Sequence, residues 1–354
     1  MEPGATLGDL DAATQTHSLA VPTGSNSTTG IAGLTLGGGF GWLSRKYGMT
    51  VDNLLSARVV LADGSVVVAS ESENSDLFWG LRGGGGNFGV VTSFEFQAHP
   101  LGPEILSGLI VHPLSHATEV LRTYRDFVKE APDEVTIWAV MRKAPPLPFL
   151  PEDVHGTEIL ILAAMYTGDM ADGEVALAPL REIGEPIADV IGPHPFTGWQ
   201  QAFDPLLTPG ERNYWKTHDF AEMSDELIDK VLGYVATLPD PQCEVFFAQV
   251  GGAQGRVPDE ATAYQGRSAA YVMNVHGRWS DTSQDESCIG WCRDLWNAIA
   301  PYATGEAYVN FMTEEEGDRL ELAYGSGYQR LVELKNRYDP GNLFRMNQNI
   351  RPTV

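Results

Sequence analysis

Apolar and polar positions along the chain change rhythm near residue 100. Before it, the β-branched runs Ala57–Ala62 and Ser65–Ala69 flank the turn Ala62-Asp63-Gly64-Ser65 and predict a hairpin. Asn74 to Arg82 reads as a short helix opened by a capping residue, and Val90 to Gln97 alternates as a strand. The breaker His99-Pro100-Leu101-Gly102-Pro103 ends this α/β unit. Strand patterns follow at Ile105–Val111, Val135–Met141, Glu158–Tyr166, Glu244–Val250 and Ala269–Val275. Amphipathic helices are predicted at Ser115–Glu130, Met170–Ile183, Ser224–Thr237 and Asp285–Ala298, and a last one from Gly327 to Tyr338 puts Leu331, Leu334 and Tyr338 on one stripe. The fold class is α+β, and a length of 354 residues predicts two domains. The apolar residues of Ala144–Pro151 would be costly to leave in water, so that proline-rich stretch is predicted to be an ordered loop.

Charge narrows the partners. Forty-seven acidic against 23 basic residues give a net charge of -24, a field that repels phosphate backbones and anionic lipid and argues against nucleic-acid or membrane partners. No stretch has the roughly 20 uninterrupted apolar residues of a membrane span. Three cysteines, Cys243, Cys288 and Cys292, point to buried thiols in a reducing cytoplasm rather than to a disulfide scaffold. Cys288 and Cys292 share a helix face but lack the further ligands zinc needs, so no metal is expected.

Glycine is concentrated where chemistry could sit. Gly30 to Trp42 holds six glycines in thirteen residues, which suits either main chain lying against a bulky ligand or a bulged turn inside a strand pair. Gly84 to Gly89 contains a formal G-x-G-x-x-G, but a helix precedes it and a strand follows. That is the reverse of the dinucleotide fingerprint, and a Rossmann reading is rejected. Its N–H groups could still cradle a phosphate or a flavin edge.

The phrases Gly30-Ile31-Ala32-Gly33-Leu34-Thr35-Leu36-Gly37-Gly38-Gly39-Phe40-Gly41-Trp42-Leu43, Gly48-Met49-Thr50-Val51-Asp52-Asn53-Leu54 and Gly86-Asn87-Phe88-Gly89-Val90-Val91-Thr92 resemble the second half of the FAD-binding domain of berberine-bridge-like and hydroxynicotine-oxidase-like flavoproteins. Tyr308-Val309-Asn310-Phe311 and Tyr338 to Ile350 resemble that family's terminal segment. The resemblance implies an incomplete PCMH-type FAD-binding domain over 1–100, a substrate domain over 101–305 with an antiparallel sheet covered by helices, and a berberine-type segment over 306–354 that returns to the flavin. It implies that Pro22, Thr23, Gly24, Gly30, Gly33, Gly37, Gly38 and Gly39 line FAD, with Gly41, Asp52, Asn53, Gly89 and Val91 close by; for the apolar members core packing is the alternative. Asn310, Asn347 and Gln348 would meet the isoalloxazine ring, although Asn347 and Gln348 equally suit a chain-terminus anchor. Tyr308 takes the tyrosine position of the family's Y-x-N motif, a general base in several members. A buried tyrosine satisfied by one hydrogen bond is the competing account. His276, at a strand end, is read as merely hydrogen-bonded.

Family members begin with about a hundred further residues, including a pyrophosphate loop and a histidine that often attaches the flavin covalently. Met1 to Thr14 already resembles the mid-domain, so FAD would be held non-covalently. A late start codon, a fragment or split partner, and a shortened protein that has lost FAD are the explanations open; exposed strand edges favour a truncated sequence. The expected activity is an FAD-linked oxidase or dehydrogenase taking hydride from a C–H bond beside an alcohol or amine. A sugar or other alcohol is preferred, with oxygen or another acceptor reoxidising the flavin. The alternative is a non-catalytic or partner-dependent protein, with another chain supplying the rest of the FAD site. The acidic, lysine-poor composition, six lysines to seventeen arginines, also predicts a salt-adapted surface. The unfolding midpoint should therefore rise from dilute buffer to molar salt; full stability in dilute buffer would count against that adaptation.

Overall fold

The computed structural model describes residues 1–346 and 348–354, apart from the side chains of Glu314 and Asp318. A small sheet is built from β1 (Leu54–Val60), β2 (Val66–Ser70) and β3 (Val90–Phe96), antiparallel in the order β2-β1-β3. Its turn closes with Ser65 N–H donating to the Asp63 carboxylate at 2.9 Å, and Gly64 supplies the positive φ of 82°. Ala57, Val59, Ala69, Val91 and Phe94 face inward against the helix Ser75–Leu81, while Val66, Val68 and Val90 face out. Asn74 does not cap that helix with its side chain. It sits in the left-handed region, and its amide donates to the Val68 carbonyl at 2.7 Å. The first glycine run is neither an open loop nor a bulge at its start. Ile31–Leu36 forms a short helix because Ile31, Thr35 and Leu36 supply a buried face, and Gly30 and Gly37 bound it.

The larger sheet contains β4 (Glu104–Pro113), β5 (Val135–Lys143), β6 (Glu158–Tyr166), β7 (Gly192–Pro195), β8 (Arg212–Phe220), β9 (Glu244–Gln249) and β10 (Tyr271–Trp279). Their order is β7-β4-β6-β5-β9-β10-β8, every neighbour antiparallel, with Ala188–Asp189 also paired to β4. Helices Ala117–Glu130, Met170–Arg181, Asp225–Val235 and Asp285–Ile299 cover one face. Val120, Leu121, Val231 and Leu295 pack there on Ile137, Ala139, Val245, Phe247, Met273 and Val275. Cys288 and Cys292 are buried free thiols of this layer. The 144–151 loop folds back so that Ala144 and Leu150 are buried beside Ile159 and Ile161.

Two strands escape the sequence pattern for physical reasons. Strand β8 reads as polar because Lys216, His218 and Asp219 are buried along it. Lys216 pairs with Glu315 at 2.8 Å, and His218 stacks on Trp296 at 4.9 Å. Strand β7 carries Pro193 and Pro195, which an edge position tolerates because the outer N–H has no partner to lose.

The terminal helix Tyr328–Tyr338 packs Leu331, Val332 and Leu334 into the core of the small sheet, beside Leu77, Phe78, Leu81 and Phe88. Lys335 on that helix is fully buried, a position its sequence pattern does not reveal. Its ammonium donates to Asp339 Oδ2 at 2.6 Å, to the Phe344 carbonyl at 2.6 Å and to the Asn87 carbonyl at 2.9 Å. Asp339 in turn accepts from Leu343 and Phe344 N–H, both at 2.8 Å. Burial alone would raise the Asp339 carboxyl, but Lys335 and these N–H groups hold it below its ordinary range. Asp339→Ala should cost about 3–5 kcal/mol in urea unfolding, because it strands a buried ammonium. The carboxylate's contribution should persist through neutral pH and fade as acid protonates it. A loss under 1 kcal/mol would remove the pair from the account.

Candidate functional site

Opposite the helical layer, the large sheet presents a second face, and alternation along each strand decides what lies on it. Cross-strand register aligns Arg142 of β5 with Glu244 of β9, Glu244 with His276 of β10, and His276 with Trp215 of β8. The next row holds Ile161, Val140, Phe246 and Asn274, and the one after it Ala163 and Trp138. All of these residues line one cavity of about 660 Å³. Its aromatic wall is continuous: Trp42 stacks on Trp138 at 4.5 Å, and Trp138 stacks on Phe246 at 5.6 Å and 8°. Phe311 sets its edge against Phe246 at 6.2 Å and Trp215 at 5.5 Å.

The facing wall is main chain. Gly24, Gly30, Gly33 and Gly37 line it together with Gly85, Gly86, Asn87 and, from the terminal segment, Tyr308, Asn310 and Gln348. A Cβ added at Gly30, Gly33 or Gly86 would meet nothing within 4 Å, so each bare Cα opens onto free space. Gly37 is glycine for another reason, since a Cβ there would fall 2.1 Å from Asn310 Oδ1. A flat, bulky cofactor suits this wall, which offers close backbone approach and amide side chains at its edge.

The other residues expected near the cofactor sit behind the wall. Pro22 and Thr23 are buried, and Gln200 donates to the Thr23 hydroxyl at 3.4 Å and the Gly24 carbonyl at 3.2 Å. Gly38 lies under Tyr264, Gly39 under Thr50, and Gly41 against the Thr23 carbonyl. Asp52 is ion-paired to Arg267 at 2.7 Å, and Asn53 donates to the Tyr47 and Met49 carbonyls. Gly89 fits beneath Val59 and Val60, and Val91 belongs to the small-sheet core. These positions hold the wall in place rather than line it. Gln348 donates to the Met312 carbonyl at 3.1 Å, while its own carbonyl accepts from Asn87, which anchors the tail. Asn347 lies outside the described residues.

Tyr308 is 2 % exposed. Its phenol oxygen accepts from Gly39 N–H at 3.1 Å and from the Asn310 amide at 2.9 Å, and Asn310 also donates to the Leu34 carbonyl. Burial drives the phenol up; Asn310 and the Gly39 and Phe40 amides recover only part, leaving its pKa at about 12. Its two hydrogen bonds brace the glycine turn.

Arg142 and Glu244 escaped sequence reasoning, while His276, read there as hydrogen-bonded at a strand end, lies inside β10. Arg142 Nη1 lies 2.7 Å from Glu244 Oε2, and His276 Nδ1 lies 3.6 Å from Glu244 Oε1. Burial would raise the Glu244 carboxyl, but Arg142 foremost, with Arg278 and with His276 when its ring is protonated, holds it below its ordinary range. Among the described residues, no group of three or more His, Cys, Asp or Glu could hold a metal.

A glycine wall that admits a flat cofactor, facing a polar strip inside an aromatic cavity, fits a redox flavoprotein. The comparisons agree. The family model "Berberine and berberine like" matches residues 307–351, and "FAD binding domain" matches residues 1–70. An FAD-linked oxidoreductase of Dictyostelium discoideum is 30% identical over 99% of this chain and 75% of its own length. The structure of 6-hydroxy-D-nicotine oxidase from Arthrobacter nicotinovorans superposes with a TM-score of 0.86 at 26% identity, covering 99% of this chain and 77% of that one. A chitooligosaccharide oxidase gives 0.85 at 26%, covering 100% and 78%. The chain belongs to the berberine-bridge-like family of FAD-linked oxidoreductases, and FAD is its cofactor.

Gly33→Val should fold with an unchanged unfolding midpoint yet lose FAD affinity at least about tenfold, roughly 1.4 kcal/mol, as read by flavin absorbance on titration. Full flavin uptake would mean that this wall does not face the cofactor.

Proposed function

We propose that the enzyme removes hydride from a C–H bond next to an alcohol or amine on a small, ring-bearing organic molecule held in the cavity, with oxygen or another acceptor completing the cycle. The observation that carries this reading is the pairing of two unlike walls across one cavity: bare glycine main chain on one side, aromatic faces with a row of polar side chains on the other. Bound FAD supplies the two-electron acceptor. The chain's own part is to hold a ring flat and to bring one polar substituent to the Arg142–Glu244–His276 row. Stacked rings such as Trp138 and Phe246 suit either a planar aromatic or the C–H face of a sugar. Among the relatives whose names print a substrate are a hydroxynicotine oxidase and a chitooligosaccharide oxidase, which supports keeping both amines and alcohols in view. Arg142 and Glu244 neutralise one another, which favours an uncharged substrate over an anion.

Anaerobic mixing of the FAD-loaded protein with 4-hydroxybenzyl alcohol, a chitooligosaccharide and (R)-6-hydroxynicotine should bleach the oxidised-flavin absorbance with at least one of them. Trp138→Ala should weaken that substrate about tenfold, in KM more than in kcat, because stacking is made before the chemistry begins. Persistent oxidised flavin with alcohols and amines alike would overturn the reading.

A further inference from the structure

We propose that His276, backed by Glu244, is the residue that takes the substrate's hydroxyl or amine proton; this rests on the oxidation reading above. Four observations lead to it. First, hydrogen-bond logic fixes the imidazole tautomer. Asn213 Oδ1 accepts from Arg278 at 3.2 Å, and Asn213 Nδ2 donates to the Glu211 carbonyl at 2.9 Å, so the amide cannot be turned over without two clashes of like groups. His276 Nε2, 3.0 Å from that oxygen, must therefore carry hydrogen, and in the neutral ring the lone pair belongs to Nδ1.

Second, Nδ1 stands 3.6 Å from Glu244 Oε1, longer than a hydrogen bond, so its lone pair is free for a third group although a carboxylate lies near enough to stabilise the cation that protonation would make. Third, the ring is held rather than mobile: Trp215 sets an edge-to-face contact at 4.9 Å, and Asn213 fixes the opposite nitrogen. Fourth, Arg142 binds the other oxygen of Glu244 at 2.7 Å, which keeps the carboxylate ionised and in place. Among the described residues, the charged groups that face the imidazole across this row are Glu244 on β9, Arg142 on β5 and Arg278 on β10 itself, with neutral Asn213 on β8 and Glu211 acting on Arg278 from beside it.

The step balances without a further reactant. In the proposed oxidation the substrate C–H bond breaks and its electron pair leaves with the hydrogen as hydride, for which bound FAD would be the acceptor. The substrate O–H bond breaks and its proton goes to His276 Nδ1, and the pair left on oxygen closes the C=O bond; an amine gives C=N in the same way. His276 is the catalytic residue here, and Glu244 is a positioning residue that acts through it. Tyr308, whose burial pushes its phenol up to about 12 despite the Gly39 and Asn310 donors, braces the glycine turn.

The probe is 4-nitrophenol, a flat ring with one acidic hydroxyl whose ionisation is visible, titrated by difference spectra in the FAD-loaded full chain. In the native protein the bound phenol should ionise about one pH unit lower than in solution, a tenfold change in ionised fraction. His276→Gln should abolish the shift, and Glu244→Gln should reduce it. Tyr308→Phe should leave it unchanged. Flavin absorbance checks that each variant is folded, and the near-isosteric Glu244→Gln keeps the test open if the histidine variant misfolds. Equal titration in the native and His276→Gln proteins, a spectrum identical to free nitrophenol, or loss of the shift in Tyr308→Phe would each overturn the assignment. A shift that persists while alcohols and amines all fail to bleach the flavin would instead sink the oxidation reading alone.

Discussion

The cavity exists because the end of the chain is fastened to its second glycine loop. Asn87 does this with its side chain, which donates to the Gly84 and Gln348 carbonyls and accepts from Ile350 N–H at 3.0 Å. Its main-chain carbonyl receives the buried Lys335 ammonium. One asparagine thus ties three segments, the loop, the last helix and the tail, with both donors and the oxygen of its side-chain amide paired. From this point the terminal segment runs back along the wall, where Asn310 and Tyr308 clamp Gly37 and Gly39 from the far side. The glycine wall is rigid because residues near 310 and 348 press on it, more than 220 positions away in sequence.

The opposite wall obeys a different constraint. A β-sheet has two faces, and a slip of one residue would exchange them. Here the helical face is filled with Ile137, Ala139, Val245, Phe247, Met273 and Val275, so the register is fixed by burial on the side away from the chemistry. The row Arg142, Glu244, His276 and Trp215 is then placed on the other side as a consequence. Core packing on the helical side therefore positions the polar strip.

That division explains what the sequence could disclose. The glycine phrases and the terminal segment are local strings, readable as soon as their family likeness is noticed, and strands such as Glu158–Tyr166 declare themselves by composition. The polar row is not local. Its members lie on four strands between residues 142 and 276, and each looks unremarkable alone: one arginine, one glutamate, a histidine at a strand end. Strand β8, which carries Trp215, is masked by Lys216, His218 and Asp219, whose burial makes sense only beside Glu315 and Trp296. Several glycines grouped with the cofactor wall, among them Gly38, Gly39, Gly41 and Gly89, prove to be glycine because protein rather than ligand lies against them. A sequence shows that a Cβ is missing, not what fills the space.

Burial separates the two candidates for proton chemistry that the cavity contains. A phenol begins with its proton tightly held, and removing it from water while giving it only neutral donors raises that hold further, as at Tyr308. An imidazole begins near neutrality, so modest surroundings suffice to make it exchange a proton, provided one nitrogen is fixed and a counter-charge stands by. The tyrosine sits on the glycine side, where the chain must be stiff, and the histidine on the sheet side, where it must meet a substituent brought in on a ring. In this reading rigidity and proton transfer fall to opposite walls of one cavity, with Tyr308 held by Gly39 and Asn310 on one side and His276 by Asn213 on the other.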